Sequence, residues 1–366
     1  MKKYILLIIL ALFASVFNVY ADEEPIMYTE KAVILEVEGI ENIEFEDYEM
    51  EQQYVKLKIL SGKYNNKTLD VINNLSGNPA YDIRVKANDK VVVVIEEQVN
   101  GDIDVFISEY LRQDYILYLS IIFILFILVV GKQKGVKSVI TLTITLFGVV
   151  KILLPLVLKG FNPIITTICV SIGITGATLF IISGVNTKSI SAIIGTTGGV
   201  LTSGILAYYV GSKIKLTGLN SEEAIMLSTI GDSINLDFKS LLFSGIIMGA
   251  LGAVMDVGMS IASSIEEIHK ANPSLSKKEL FASGMNVGRD IMGTMTNTLI
   301  LAYTGSSIPL LLLFMYYEPS IVKILNLDII ATEIVRSLSG SIGLIVAIPL
   351  TALVSSMLIK NKKESK

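Results

Sequence analysis

Polar and apolar positions alternate in short stretches early in the chain and then give way to long apolar runs. Between Asp22 and Asp114 six segments read as strands: Thr29–Val37, Gln52–Leu60, Lys67–Ile72, Tyr81–Lys86, Lys90–Glu96 and Asp102–Ile107. They alternate in hydrophobicity or run β-branched, and polar loops such as residues 61–66 and 87–89 divide them. In the second segment Tyr54, Leu57 and Ile59 oppose Lys56 and Lys58, which predicts one buried face with a register break near Leu57. Ser76-Gly77-Asn78-Pro79 reads as a turn, because no phosphate-cradling Gly-Lys pattern surrounds it. Roughly ninety residues of short strands predict a small all-β domain, a barrel or a sandwich.

From Tyr115 the period changes. Apolar runs approach or exceed the ~20 residues that cross a hydrocarbon layer. They fall at Tyr115–Val130, Ser138–Leu158, Pro163–Ser183, Ile190–Val210, Phe238–Ala262, Ile291–Phe314 and Ser341–Ile359. The predicted fold is an α-helical integral membrane bundle of about seven transmembrane helices with an N-terminal extracytoplasmic small all-β domain. Two connections carry helix signals of their own. Ser276-Lys277-Lys278-Glu279 has capping-box spacing and predicts a helix leading into the sixth span. Asn220-Ser221-Glu222-Glu223 predicts a short helix with its acids at the positive end of the dipole, and residues 231–237 then lead into the fifth span.

Composition supports the membrane reading, with 52% hydrophobic residues and a mean hydropathy of +0.63. Charge divides it further. Asp22–Asp114 holds 21 acidic against 9 basic side chains, whereas Tyr115–Lys366 holds 13 against 19. Two environments follow. Met1–Ala21 pairs Lys2 and Lys3 with an apolar core and ends Val19-Tyr20-Ala21, the pattern of a secretory signal. The predicted organisation is therefore 1–21 signal peptide, 22–114 extracytoplasmic β domain and 115–366 multi-spanning domain. The loop at residues 131–137 and the tail Lys360–Lys366 are basic and belong in the cytoplasm. The partners implied are the lipid bilayer, an ion or small solute, and a membrane-protein partner or second copy; nucleic acid is not among them. One cysteine, Cys169, gives no disulfide framework.

The chemistry concentrates in the fifth and sixth spans. Asp256, Arg289 and Asp290 are charges within or against apolar helices, where a charge is costly and either pairs or lines a watery path. Asn286, Asp290 and Asn297 share one side of a helix by i, i+4 and i+11 spacing. Asp256 with Arg289 is the expected ion pair, which leaves Asp290 the less compensated carboxylate. Gly245, Gly249 and Gly252 have the spacing of a close helix-packing surface, and Gly198, Gly199 and Gly204 offer another. Thr294, Thr296 and Thr298 can bond back to helix carbonyls. Catalysis has little to stand on. His269 is the single histidine and lies in a polar connection, and neither a Cys/His cluster nor a Walker-type loop is present. No cofactor and no metal site is expected. A carboxylate-dependent intramembrane hydrolase using Asp256 and Asp290 is the enzyme alternative.

Three words of sequence carry a family resemblance: Gly-Ala-Leu-Gly-Ala-Val-Met-Asp at Gly249–Asp256, Ser-Ile-Ala-Ser-Ser at Ser260–Ser264, and Gly-Arg-Asp-Ile-Met-Gly-Thr-Met-Thr-Asn-Thr-Leu at Gly288–Leu299. With them, Tyr115–Ile359 resembles the YibE/F family of multi-spanning bacterial membrane proteins. The resemblance implies a multi-pass protein of the bacterial plasma membrane, with transport as the implied role and no catalytic or ligand-binding residue to carry over. Two function classes remain open. One is a transporter or permease component with a polar pathway between the fifth and sixth spans. The other is a non-transporting scaffold or accessory subunit that binds a partner through the β domain.

Overall fold

The structure is a computed structural model that describes residues 27–44, 49–97, 103–230, 236–317 and 320–359. The predicted signal peptide, residues 231–235 and the tail Lys360–Lys366 lie outside the described residues. The chain divides into two compact units that meet in sequence at Phe126 and Ile127.

The first unit is built on five strands, β1 (Met27–Glu44), β2 (Glu49–Ile59), β3 (Thr68–Leu75), β4 (Lys90–Glu97) and β5 (Ile103–Tyr110). They form one antiparallel sheet in the order β3-β2-β1-β4-β5, curled into a half-barrel. Alternation decides which side is inside: Val55, Leu57 and Ile59 from β2 meet Val91, Val93 and Ile95 from β4 in one apolar core. The register irregularity expected near Leu57 is real, but it belongs to the partner strand. β1 carries bulges at Ile34/Glu36 and Val37/Gly39, while β2 keeps its alternation through Leu57 and leaves Tyr54 exposed.

The segment Tyr81–Lys86 is not a strand. Two buried amides hold it instead of a backbone ladder. Gln53 Nε2 donates to Val85 O at 3.1 Å, Val85 N donates to Gln53 Oε1 at 3.0 Å, and Asn73 Nδ2 donates to Ile83 O at 2.8 Å. An apolar β-branched pattern is common to a paired strand and to an extended segment fixed by side chains, so the sequence pattern does not separate them.

The rest of the chain is helical, and its first helix begins in the first unit and continues into the second. The helices are α1 (Gln113–Phe147), a π-helical turn (Gly148–Leu153), α2 (Leu154–Leu158), α3 (Pro163–Ser183), α4 (Thr187–Lys213), α5 (Glu222–Ile230), α6 (Phe238–Ala271), α7 (Lys277–Ser306), α8 (Ile308–Tyr317), α9 (Ile321–Leu325) and α10 (Asp328–Leu358). Among the described residues five stretches are long and apolar enough to cross a bilayer: Gln113–Leu158, α3, α4, α6 and α10. A sixth arises if α7 and α8 are taken together across a 62° bend. The span expected at Ile291–Phe314 falls within this pair, which is bent at Ser307.

The first stretch also differs from a single rod. At 46 residues it would run roughly 70 Å, more than twice the ~30 Å hydrocarbon layer. Its continuity ends at Lys132, whose φ of 48° and ψ of −121° are not helical. A Cβ added at Gly135 would lie 2.1 Å from Ile127 O, although residues eight apart on a straight helix are about 12 Å apart along its axis. The chain therefore folds back at Lys132, inside the basic loop that separates the first two predicted spans.

Glycine packing occurs between α4 and α10. A Cβ at Gly199 would meet Gly343 O at 2.6 Å, and one at Gly343 would meet Gly199 O at 2.6 Å. Two backbones lie against each other here as small residues permit. α6 packs on both, and its Val254, Val257 and Ile261 join Leu344, Ala347 and Ile348 in the main apolar core. α7 lies against α6 and α10 and begins with the expected capping box: Ser276 Oγ accepts from Glu279 N, and Glu279 Oε2 accepts from Ser276 N at 2.7 Å.

A polar face on two adjacent helices

α6 and α7 run antiparallel in a register that the glycines define. A Cβ at Gly284 would meet Ile265, one at Gly288 would come within 3.4 Å of Ile261, and one at Gly249 would come within 2.6 Å of the Tyr303 hydroxyl. By that register Asp256 is level with Gly293, and Ser260 is level with Arg289.

The expected Asp256–Arg289 pair is not formed. The two sit about one helical turn, ~5.4 Å, apart in register. Arg289 Nη1 donates instead to Asn286 Oδ1, one turn earlier on its own helix, at 3.2 Å. Among the described residues no ion pair includes Asp256, Arg289 or Asp290.

The faces matter more than the pair. The exposed stripe of α6 within its apolar part is Gly245, Gly249, Gly252, Asp256 and Ser260. Between Asn286 and Thr298 the exposed face of α7 is Asn286, Arg289, Asp290, Gly293, Thr294, Asn297 and Thr298, after which it turns apolar at exposed Ile300 and Leu301; Gly284, Gly288 and Leu299 are buried on the other side. No large hydrophobic side chain is exposed between residues 238 and 299. α3, α4 and α10 behave oppositely and expose Ile165, Ile172, Ile194, Ile205, Leu338, Ile342 and Leu353. A lipid-facing helix surface should be apolar, and a charge at the bilayer centre costs roughly 3 kcal/mol on insertion scales. The outer face of α6 from Gly245 to Ser260 and that of α7 from Asn286 to Thr298 do not meet that condition.

Each predicted site residue is thereby placed. Asn286, Asp290 and Asn297 share one exposed face of α7, and Arg289 borders it. Asp256 is on the exposed stripe of the neighbouring helix. The three glycines of α6 separate. Gly249 is closely packed by Tyr303, whereas at Gly245 and Gly252 an added Cβ would meet nothing within 4 Å. The packing expectation is corrected for those two, because spacing alone does not say which side of a helix has a neighbour. Thr294 and Thr298 donate back to Ile291 O and Thr294 O, each at 2.9 Å. The face can hold charge and donate or accept hydrogen bonds.

A second polar cluster escapes sequence reading. A cavity of about 250 Å³ lies at the α7–α8 bend, lined by Tyr303, Thr304, Ser307, Leu311, Glu333 and Ser337 among others. Glu333 Oε1 pairs with Arg336 Nη1 at 2.7 Å, while Glu333 Oε2 and the Tyr303 hydroxyl are buried without a hydrogen-bond partner among the described residues. The last predicted span begins at Ser341 and so leaves these residues out, although α10 starts at Asp328. The available signal was the i, i+3 opposite-charge spacing of Glu333 and Arg336 just ahead of an apolar run.

At the far end of α6, Glu266 pairs with Lys188 at 3.2 Å and with Lys270 at 3.1 Å. His269, expected as a surface residue, is only partly exposed and its Nδ1 is buried.

Comparison with protein families matches residues 25–110 to the YibE/F family N-terminal domain and residues 119–361 to the YibE/F-like protein family. Neither the curated proteins nor the solved structures contain a match. With most of its length matched, helices and strands alike, this membrane protein belongs to the YibE/F-like family.

Proposed function

We propose that this protein carries an ion or a small polar solute across the membrane along the polar faces of α6 and α7. The observation that carries the proposal is the lack of any exposed large hydrophobic side chain from residue 238 to 299, in helices of a membrane protein. Asp256, Asn286, Asp290 and Asn297 supply hydrogen-bonding groups along the route. Gly245, Gly252 and Gly293 leave open space beside them. The broken α7–α8 helix supports the same reading, since discontinuous helices recur where transporters bind solute.

The proposed topology has seven spans, with the fold-back at Lys132 dividing the first long stretch into two. Lys132, Lys134 and Lys137 then lie in the cytoplasm, the β domain outside, and the C-terminus inside. In this reading Met1–Ala21 acts as a secretory signal for the bacterial plasma membrane.

The test is flux in proteoliposomes over a panel of monovalent and divalent ions and small polar solutes. Wild-type protein should give protein-dependent flux, and Asp290→Asn should reduce it at least ten-fold with insertion unchanged. Wild-type rates for Asp290→Asn across a range of pH would remove Asp290 from the mechanism.

The scaffold reading draws on one feature of the β domain. Exposed Ile72 and Phe106 flank a cleft between the edge strands β3 and β5. Absence of flux, together with a bound partner lost on Phe106→Ser, would favour it.

A further inference from the structure

We propose that the polar face of α7 is covered by the same face of a second copy of this chain, so that the α6–α7 route lies between two subunits. This rests on the reading of that face as membrane-embedded and deepens the transport proposal.

Among the described residues of one chain nothing covers the face. α7 packs through Gly284 and Gly288 onto Ile265, Ile261 and Ile348, and Asn286, Arg289, Asp290, Thr294 and Asn297 point away from that contact. In lipid such a surface must meet protein or protein-bound water. Its charges say which protein. Arg289 and Asp290 are sequence neighbours of opposite sign, both exposed and neither in an ion pair among the described residues. All copies in a membrane share one orientation, so a two-fold axis along the membrane normal sets two α7 helices side by side with equal levels opposed. At that level Arg289 of each copy meets Asp290 of the other, which is the reciprocal contact an isologous interface requires. Asn286 and Asn297 lie about one and two turns to either side and can hydrogen-bond across the axis. Gly293 and Thr294 allow close approach between the helices. The pattern is self-complementary in charge, which a face evolved for an unrelated partner has no need to be.

The test uses the full chain in lipid nanodiscs, with Cys169→Ser because Cys169 is exposed. Counting subunits by single-molecule photobleaching should give two per particle. Oxidative cross-linking should join Asn297→Cys chains efficiently and Ile342→Cys chains, on the exposed apolar side of α10, at least ten-fold less. Asp290→Arg should abolish dimers, and Arg289→Asp combined with Asp290→Arg should restore them. One subunit per particle, equal cross-linking at both positions, or co-purification of a different protein in place of the second copy would each overturn the proposal. Subunit number and cross-linking do not depend on flux. Dimers without flux retain this inference and count against transport, whereas flux from single subunits retains transport and refutes the dimer.

Discussion

Gly199 and Gly252 look alike in sequence, each set in an apolar helix among other small residues, yet a side chain at each should behave oppositely. At Gly199 a new methyl would sit 2.6 Å from Gly343 O and 2.8 Å from the Ala347 Cβ. Backbone cannot give way as a side-chain tip can, so Gly199→Ala should destabilise the bundle by about 1–3 kcal/mol. At Gly252 nothing lies within 4 Å, and Gly252→Ala should leave thermal stability in detergent unchanged within error. If the same methyl at Gly252 lies on the solute route, it lowers flux without lowering stability. The two readouts, melting temperature and flux, therefore separate a packing glycine from a pathway glycine. Equal losses of stability at both positions would mean that α6 has a neighbour at Gly252. The Asp256–Arg289 pairing fails for a related reason. Sequence spacing gives each helix's own faces, but the offset between two helices comes from which residues interlock, here Gly284 with Ile265 and Gly288 with Ile261.

At the scale of elements the fold-back at Lys132 is the most sensitive feature. Gly135 is buried there, and a Cβ would fall 2.1 Å from Ile127 O. Gly135→Val should open the turn and reduce the yield of folded protein several-fold, measured by fluorescence-detection size-exclusion chromatography. Lys132→Gly should be tolerated or mildly stabilising, because a positive φ is strained for a side-chain residue and free for glycine. A normal profile for Gly135→Val would refute the turn. The basic loop and the flanking apolar runs made this reversal legible in the sequence. The break at Ser307 was not legible: residues 291–314 read as an apolar run, yet the chain bends by 62° within it. Hydropathy reports how much of a segment can enter lipid and says nothing about its direction.

For the whole molecule, topology is the claim most open to direct test. A cysteine at Asn65, in the loop after β2, should react with a membrane-impermeant maleimide in intact cells carrying Cys169→Ser. One at Lys134 should react only after permeabilisation. The reverse labelling pattern would invert the protein and move the β domain inside. Much of this architecture follows from the sequence alone. Alternation over residues 27–97 fixes a β unit with one buried face, because a strand's side chains alternate by geometry. Long apolar runs fix membrane helices, because backbone groups in lipid must be satisfied within the segment. The charge split between Asp22–Asp114 and the rest separates two environments. Even the identity of the polar residues in α6 and α7 was available, since each stands out against an apolar background. Their arrangement was not. Only the packed structure decided that Gly199 faces a backbone while Gly252 faces open space, that Arg289 turns to Asn286, and that Glu333 and Tyr303 converge on the α7–α8 bend. Those facts depend on which side of each helix is occupied, and that is settled by interlocking side chains from segments far apart in the chain.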